Sequence, residues 1–153
     1  VYVAQVAFGA NMNQVVRALL EADSFPGPSL VIAYSHCIAH GYDLRYGADQ
    51  QKLAVQSGLW PLYRFDPRRV VEDKPPLELD SGAPRVPLRR FMENETRFRM
   101  VEKMDAERFA RLADLAQKEV MQRYAYYERL AGLKLPRGED DSRGARAGAE
   151  EQA

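Results

Sequence analysis

A single cysteine in 153 residues rules out an internal disulfide and any multi-thiolate zinc site built by this chain alone. Histidine is nearly as scarce: the two copies, His36 and His40, straddle the cysteine in a segment without helical periodicity, outside the helical i, i+4 arrangement that zinc enzymes use. Charge of one sign is missing as well. With 22 Lys plus Arg against 22 Asp plus Glu, no global field exists to hold nucleic acid or an anionic membrane. No apolar run approaches the ~20 residues that span a bilayer, and no charged-then-apolar leader is read in the sequence. Methionine is absent from the first position, and the chain opens inside an apolar stretch, Val1-Tyr-Val-Ala-Gln-Val-Ala7. Apolar on both faces, that stretch reads as a buried parallel strand, so the chain is expected to be the carboxyl-terminal piece of a longer polypeptide. A soluble protein of the reducing cytoplasm fits one unpaired thiol.

What is present organises into one domain, since about 150 residues can bury roughly 70% of their unfolded surface around one core. Asn11-Met-Asn-Gln14 has the capping-box spacing before Val15, Val16, Leu19 and Leu20, which predicts a helix to about Asp23. Gly27 and Pro28 break it, and Leu30 to Tyr34 reads as the next strand. The resulting β-α-β unit makes both strands parallel and puts Gly9, Asn11 and Cys37 at one edge of the sheet. There Gly9 and Asn11 either line a cofactor side or serve only as turn and cap.

Further along, Ala48 to Gln56 predicts a helix ended by Gly58 at the C′ position, and Trp60 to Phe65 a short strand begun by Pro61. Its alternation sets Leu62 and Arg64 on one side; Arg64 then either meets an acidic partner or is a solvated charge. Prolines at 75, 76, 84 and 87 make Lys74 to Leu88 an extended surface segment. A helix from Leu88 to Val101 follows, with Phe91, Met92, Glu95 and Phe98 along one side. Asp105 caps a long helix to about Ala131, spanning roughly 39 Å. Its stripe of Phe109, Leu112, Leu115, Ala116, Val120, Tyr124, Tyr127 and Leu130 suits core packing or a dimer contact.

Cys37 stands where the apolar run Ser29-Leu-Val-Ile-Ala-Tyr34 gives way to Ser35-His-Cys-Ile-Ala-His-Gly41. In open α/β sheets ligands collect beyond the carboxyl ends of strands, so a thiol there can reach one. The plain alternative is a small buried hydrophobe. His36 and His40 are either hydrogen-bonding partners of the backbone or of a cluster sulfur, or simple loop residues.

The stretch Pro26 to Gly41, followed by Gln50-Gln-Lys-Leu-Ala-Val-Gln-Ser-Gly-Leu-Trp-Pro-Leu-Tyr-Arg64, resembles the pyruvate:ferredoxin (flavodoxin) oxidoreductases. The likeness takes in Tyr2 to Ala7, Gly9-Ala-Asn11, Leu79-Asp-Ser81, Asn94-Glu95, Arg97-Phe98 and Tyr126-Tyr-Glu128, running to about Gly132. It implies an α/β fold, part of a thiamine-diphosphate-binding type, with parallel strands, flanking helices and a long C-terminal helix. Residues 1–132 would be the C-terminal part of the thiamine-diphosphate-binding domain and 133–153 a disordered polar tail. The implied activity is oxidative decarboxylation of pyruvate to acetyl-CoA, with electrons leaving singly through iron-sulfur clusters to ferredoxin or flavodoxin. On the same resemblance Cys37 is the last of four thiolates on the 4Fe-4S cluster nearest thiamine diphosphate. That coenzyme and its Mg2+ would be bound mainly outside this chain, and no residue here is assigned to catalysis. The isolated piece is expected to be inactive, and the whole enzyme to be a homodimer using coenzyme A and a 2-oxo acid. Alternatives are a related 2-oxo acid oxidoreductase, or a stand-alone α/β interaction module in which Cys37 is filler.

Overall fold

The structure, a computed structural model, describes residues 1–136. The tail expected over 133–153 lies outside the described residues from 137 onward. A four-stranded sheet in the order β2-β1-β3-β4 forms the frame. Strand β1 (Tyr2–Val6) pairs in parallel with β2 (Ser29–Ala33), as the β-α-β reading requires, with Val3 opposite Leu30. On its other side β1 pairs antiparallel with β3 (Tyr63–Phe65), which pairs antiparallel with β4 (Leu77–Leu79). The sheet is therefore mixed. Residues 66–76 return the chain from β3 to β4, and so short a connection suits an antiparallel neighbour rather than a crossover. On its outer side β2 has no strand neighbour among the described residues.

Residues alternate along β1: Tyr2, Ala4 and Val6 are buried and face helix α1 (Met12–Ser24), where they pack with Ala18, Val15, Ala22 and Phe25. Asn11 caps α1 as expected, its Oδ1 accepting from the Gln14 backbone N–H at 3.0 Å. The Gln14 side chain does not close the capping box. It turns under the sheet and donates to the Gln5 carbonyl at 3.2 Å and to Asp80 at 3.1 Å. Of the predicted apolar set only Val15 packs inward; Val16, Leu19 and Leu20, with Met12, form a second stripe that is exposed.

Arg64 is neither a solvated charge nor a group offered to a partner. Its position opposite the small Ala4 leaves room for the guanidinium on the α1 side of the sheet, where 3% of its side chain is exposed. It donates to Asp80 twice at 2.8 Å and to Glu21 at 2.5 Å, and lies 3.3 Å from Glu78. Leu79-Asp80-Ser81 is thereby docked, and the Ser81 hydroxyl oxygen accepts from the Leu62 N–H at 3.0 Å.

The other face carries the larger apolar cluster. Helix α2 (Gly47–Gln56) supplies Ala54, α3 (Leu88–Met92) supplies Leu88, Phe91 and Met92, and α5 (Ala106–Ala131) supplies Phe109, Ala113 and Val120. Gly58 takes the predicted C′ role at φ +77°, and Asp105 caps α5 through the Arg108 N–H at 2.9 Å. In the α5 stripe Leu112 and Leu115 are exposed, and Ala113 packs in their place. The single helix expected over 88–101 is two, α3 and α4 (Thr96–Met104), because the extended backbone at Glu95 interrupts it. That break lets the Glu95 carboxylate turn inward, where it is fully buried.

Candidate functional site

Beyond Ala33 the parallel ladder continues by one bond, Tyr34 N–H to the Val6 carbonyl at 3.0 Å. Ser35, His36 and Cys37 then run past the carboxyl end of the β1-β2 pair. Cys37 has extended backbone at φ −124°, and a 3-10 turn, Ile38–His40, reverses the chain, with His40 N–H donating to the Cys37 carbonyl at 3.0 Å. Gly41 completes the reversal at φ +71°. A Cβ there would be strained by that backbone and would come within 2.7 Å of the Thr96 Cβ. The Thr96 hydroxyl donates to the Gly41 carbonyl at 2.5 Å, and the Thr96 N–H does so at 3.2 Å, so the start of α4 clamps the loop.

Two polar clusters hold this loop from beneath. In the first, the Gly9 N–H donates to Gln51 Oε1 at 2.7 Å, Gln51 Nε2 lies 3.2 Å from His36 Nε2, and His36 Nδ1 lies 2.7 Å from the Tyr42 hydroxyl. Gly9 and Gly47 make this approach possible: a Cβ on Gly9 would fall 2.6 Å from Ala48 Cα, and one on Gly47 2.7 Å from His36 Nε2. In the second, Glu95 accepts from Gln50 Nε2 at 3.1 Å and from Arg97 Nε at 2.6 Å, with His40 Nδ1 at 3.8 Å. The Gln50 oxygen accepts from Asn94 at 2.8 Å, which completes that buried set. Burial, and after it the Glu95 charge, pushes the Tyr34 phenol up to about 12, so it stays neutral at physiological pH.

A cleft of about 390 Å³ opens on this edge between Tyr34, Ser35, His40, Trp60, Arg97 and Arg123. Asn11 acts as a cap, and Gly9 as a close-packing position and backbone donor, and neither residue lines the cleft. His36 and His40 both address side chains of this chain. Sequence reasoning missed Tyr42, Gln50, Gln51, Glu95 and Thr96 as supports of the loop. The two adjacent amides inside the apolar face of α2 were the available signal, because buried amides are nearly always partnered.

Cys37 is a free cysteine of intermediate burial. A soft thiolate in that position is fit to hold one iron of a cluster. Among the described residues no three His, Cys, Asp or Glu side chains converge as a metal site, so the other ligands of a four-thiolate cluster would have to come from elsewhere. Among the described residues, likewise, no helix is long and apolar enough to cross a membrane.

Fold and edge together define an α/β segment whose one thiol is presented beyond the carboxyl ends of two parallel strands. No protein-family model matches the chain. Curated relatives do. It is 53% identical to the pyruvate-flavodoxin oxidoreductase of Rhodospirillum rubrum over 96% of this chain and 12% of that protein. It is 46% identical to the probable pyruvate-flavodoxin oxidoreductase of Escherichia coli over 86% of this chain and 11% of that one. To the pyruvate:ferredoxin oxidoreductase of Moorella thermoacetica it is 40% identical, again over 86% and 11%. The chain belongs to the pyruvate:ferredoxin (flavodoxin) oxidoreductase family and spans about 12% of the length of its relatives.

Proposed function

We propose that the chain forms part of a pyruvate:ferredoxin/flavodoxin oxidoreductase, as the C-terminal part of its thiamine-diphosphate-binding domain, and that the Cys37 thiolate is one ligand of a 4Fe-4S cluster. The observation that carries this reading is Cys37 itself: a half-buried residue beyond the carboxyl end of β2, in a chain nearly half or more identical to pyruvate-flavodoxin oxidoreductases. Within the whole enzyme, thiamine diphosphate with Mg2+ supplies the carbanion chemistry of decarboxylation and the clusters supply one-electron transfer. This chain's share is to hold and orient. Thr96 and Gly41 fix the turn, Glu95, bonded to Gln50 of α2 and 3.8 Å from His40, links it to the helical core, and Tyr42 hydrogen-bonds the His36 ring. Coenzyme A, a 2-oxo acid, ferredoxin or flavodoxin and a second copy of the enzyme are the partners of the complete molecule.

The test is Cys37→Ala in the complete oxidoreductase. Iron content and the spin-resonance signal of one cluster are expected to fall, and electron delivery to flavodoxin or ferredoxin to be lost, with circular dichroism unchanged. A full set of cluster signals in that variant would overturn the assignment.

A further inference from the structure

The cleft of about 390 Å³ beyond β2 is rich in donors that this chain leaves unused. Arg97, in the first turn of α4, spends its Nε–H on Glu95 at 2.6 Å, with its guanidinium 4.5 Å from the centre of the Phe98 ring. Its two Nη groups have no hydrogen-bond acceptor among the described residues. Arg123, on α5, is anchored through Nη2 to the Gly58 and Leu59 carbonyls at 3.2 and 2.8 Å, and its Nε and Nη1 groups have no acceptor among the described residues. Both arginines line the cleft, and so does Tyr34, whose phenol likewise has no hydrogen-bond partner among the described residues. Among the described residues no Asp or Glu lines it. Glu95, paired with Arg97, offsets one of the two guanidinium charges, and the other is left over.

Fixed apolar walls complete the cleft. The Trp60 indole N–H donates to the Val6 carbonyl at 3.0 Å, and its ring meets Tyr34 edge-on with centroids 5.4 Å apart. The Tyr127 ring is stacked on Tyr63 at 5.2 Å. Such a volume lies at the lower end of the range for organic ligands. One surplus cation and two held guanidinium forks match a single carboxylate, which such forks bind in two-point fashion. The aromatic walls match an apolar neighbour of that carboxylate. The chain spans 12% of the Rhodospirillum rubrum relative, so most of a complete oxidoreductase lies outside it and is available to cover this face.

We infer that the cleft is a docking site for an acidic segment of the remaining oxidoreductase polypeptide, an Asp or Glu carboxylate held by Arg97 and Arg123 with its apolar neighbour against Trp60 and Tyr127. The inference rests on the chain being part of that larger enzyme, and not on the role of Cys37.

Trp60 is the one tryptophan of the 153-residue chain, so its emission reports on the cleft. In the chain, acetyl-Leu-Glu-Leu-amide is expected to shift that emission saturably, with binding that weakens as salt is raised. The Leu-Gln-Leu counterpart is expected to bind about tenfold more weakly, and Arg123→Gln to weaken binding of the glutamyl peptide by about the same factor. Equal binding of the two peptides to the unsubstituted chain, or none by either, would overturn the inference, whether or not Arg123→Gln folds. In the complete oxidoreductase the cleft is expected to be filled already. Arg123 then resists phenylglyoxal, read by mass spectrometry of its peptide, while in the isolated chain it reacts readily. Equal rates would mean an open cleft suited to a free anion, and would overturn the docking. The peptide result does not depend on the cluster, whose own failed assignment shows separately as a full set of clusters in Cys37→Ala.

Discussion

Two buried charges, one on each flank of the sheet, are satisfied in opposite ways. Arg64, on the α1 side, has three carboxylates around it, from Glu21, Glu78 and Asp80. Glu95, in the helical layer, is completely buried and meets one guanidinium, one amide and a more distant imidazole. The first ties three separate elements, α1, β3 and β4, into a rigid frame. The second ties the helical core to a loop that carries the thiol. The charge with surplus partners serves the scaffold, while the one with just enough partners joins α2 and the start of α4 beside the turn that carries Cys37. Coulombic attraction alone does not distinguish them; what differs is that Glu95 alone also reaches the thiol-bearing turn, through His40 at 3.8 Å.

The largest effect that would break this comparison is at Arg64. Arg64→Met leaves the partly buried Glu21 and Asp80 carboxylates without their guanidinium while Glu78 keeps Arg69, and is expected to cost about 3 kcal/mol in urea unfolding of the chain. A loss below about 1 kcal/mol, the range of exposed pairs, would mean the carboxylates relax into solvent and the frame does not depend on them. Glu95→Gln keeps the shape and removes the charge. It is expected to cost about 1–3 kcal/mol and to speed modification of Cys37 by a thiol reagent, since the His40 contact that joins Glu95 to the loop weakens. If stability falls but the thiol reacts at its former rate, Glu95 belongs with Arg64 as scaffold.

The alkaline limb sharpens the contrast on the helical side. The Tyr34 pKa is raised to about 12 in the folded chain against about 10 unfolded, so the folded state holds more protons between those values. Stability from this group is complete below about pH 10 and is lost as pH rises toward about 12. Tyr34→Phe is expected to flatten that decline, as read from urea midpoints across the range. The smallest effect is at the outer stripe of α1. Leu20→Lys, at a position 67% exposed, is expected to change stability by no more than about 0.5 kcal/mol.

Local chemistry was legible in the sequence. Asn11 and Asp105 as caps, Gly58 in left-handed backbone and the parallel β1-β2 pair depend on residues within a few positions or on one short crossover. Long-range polar pairing was not. Arg64 reads as a surface charge because Glu21 is 43 residues away and its small neighbour Ala4 lies on another strand. Glu95 reads as part of a helical face because its buried partner Gln50 is 45 residues away. The inward-facing Gln14 misled in the same manner: its spacing fits a cap, but Asp80, 66 residues on, captures the side chain. Cys37 was placed at the correct edge by the β-α-β topology, while its supports, Tyr42 and Gln51, became visible only when the loop and α2 were brought together.

The outer margin of β2 has a practical consequence. Its backbone donors and acceptors from Ser29 to Ala33 are paired on one side only among the described strands, and Leu30 is half exposed beside them. Such a rim is a template for another extended chain. When the polypeptide is produced by itself and concentrated, molecules are expected to stick rim to rim and form inclusion bodies or fibrous material, so a fused companion that occupies this margin would improve recovery more than any change of buffer.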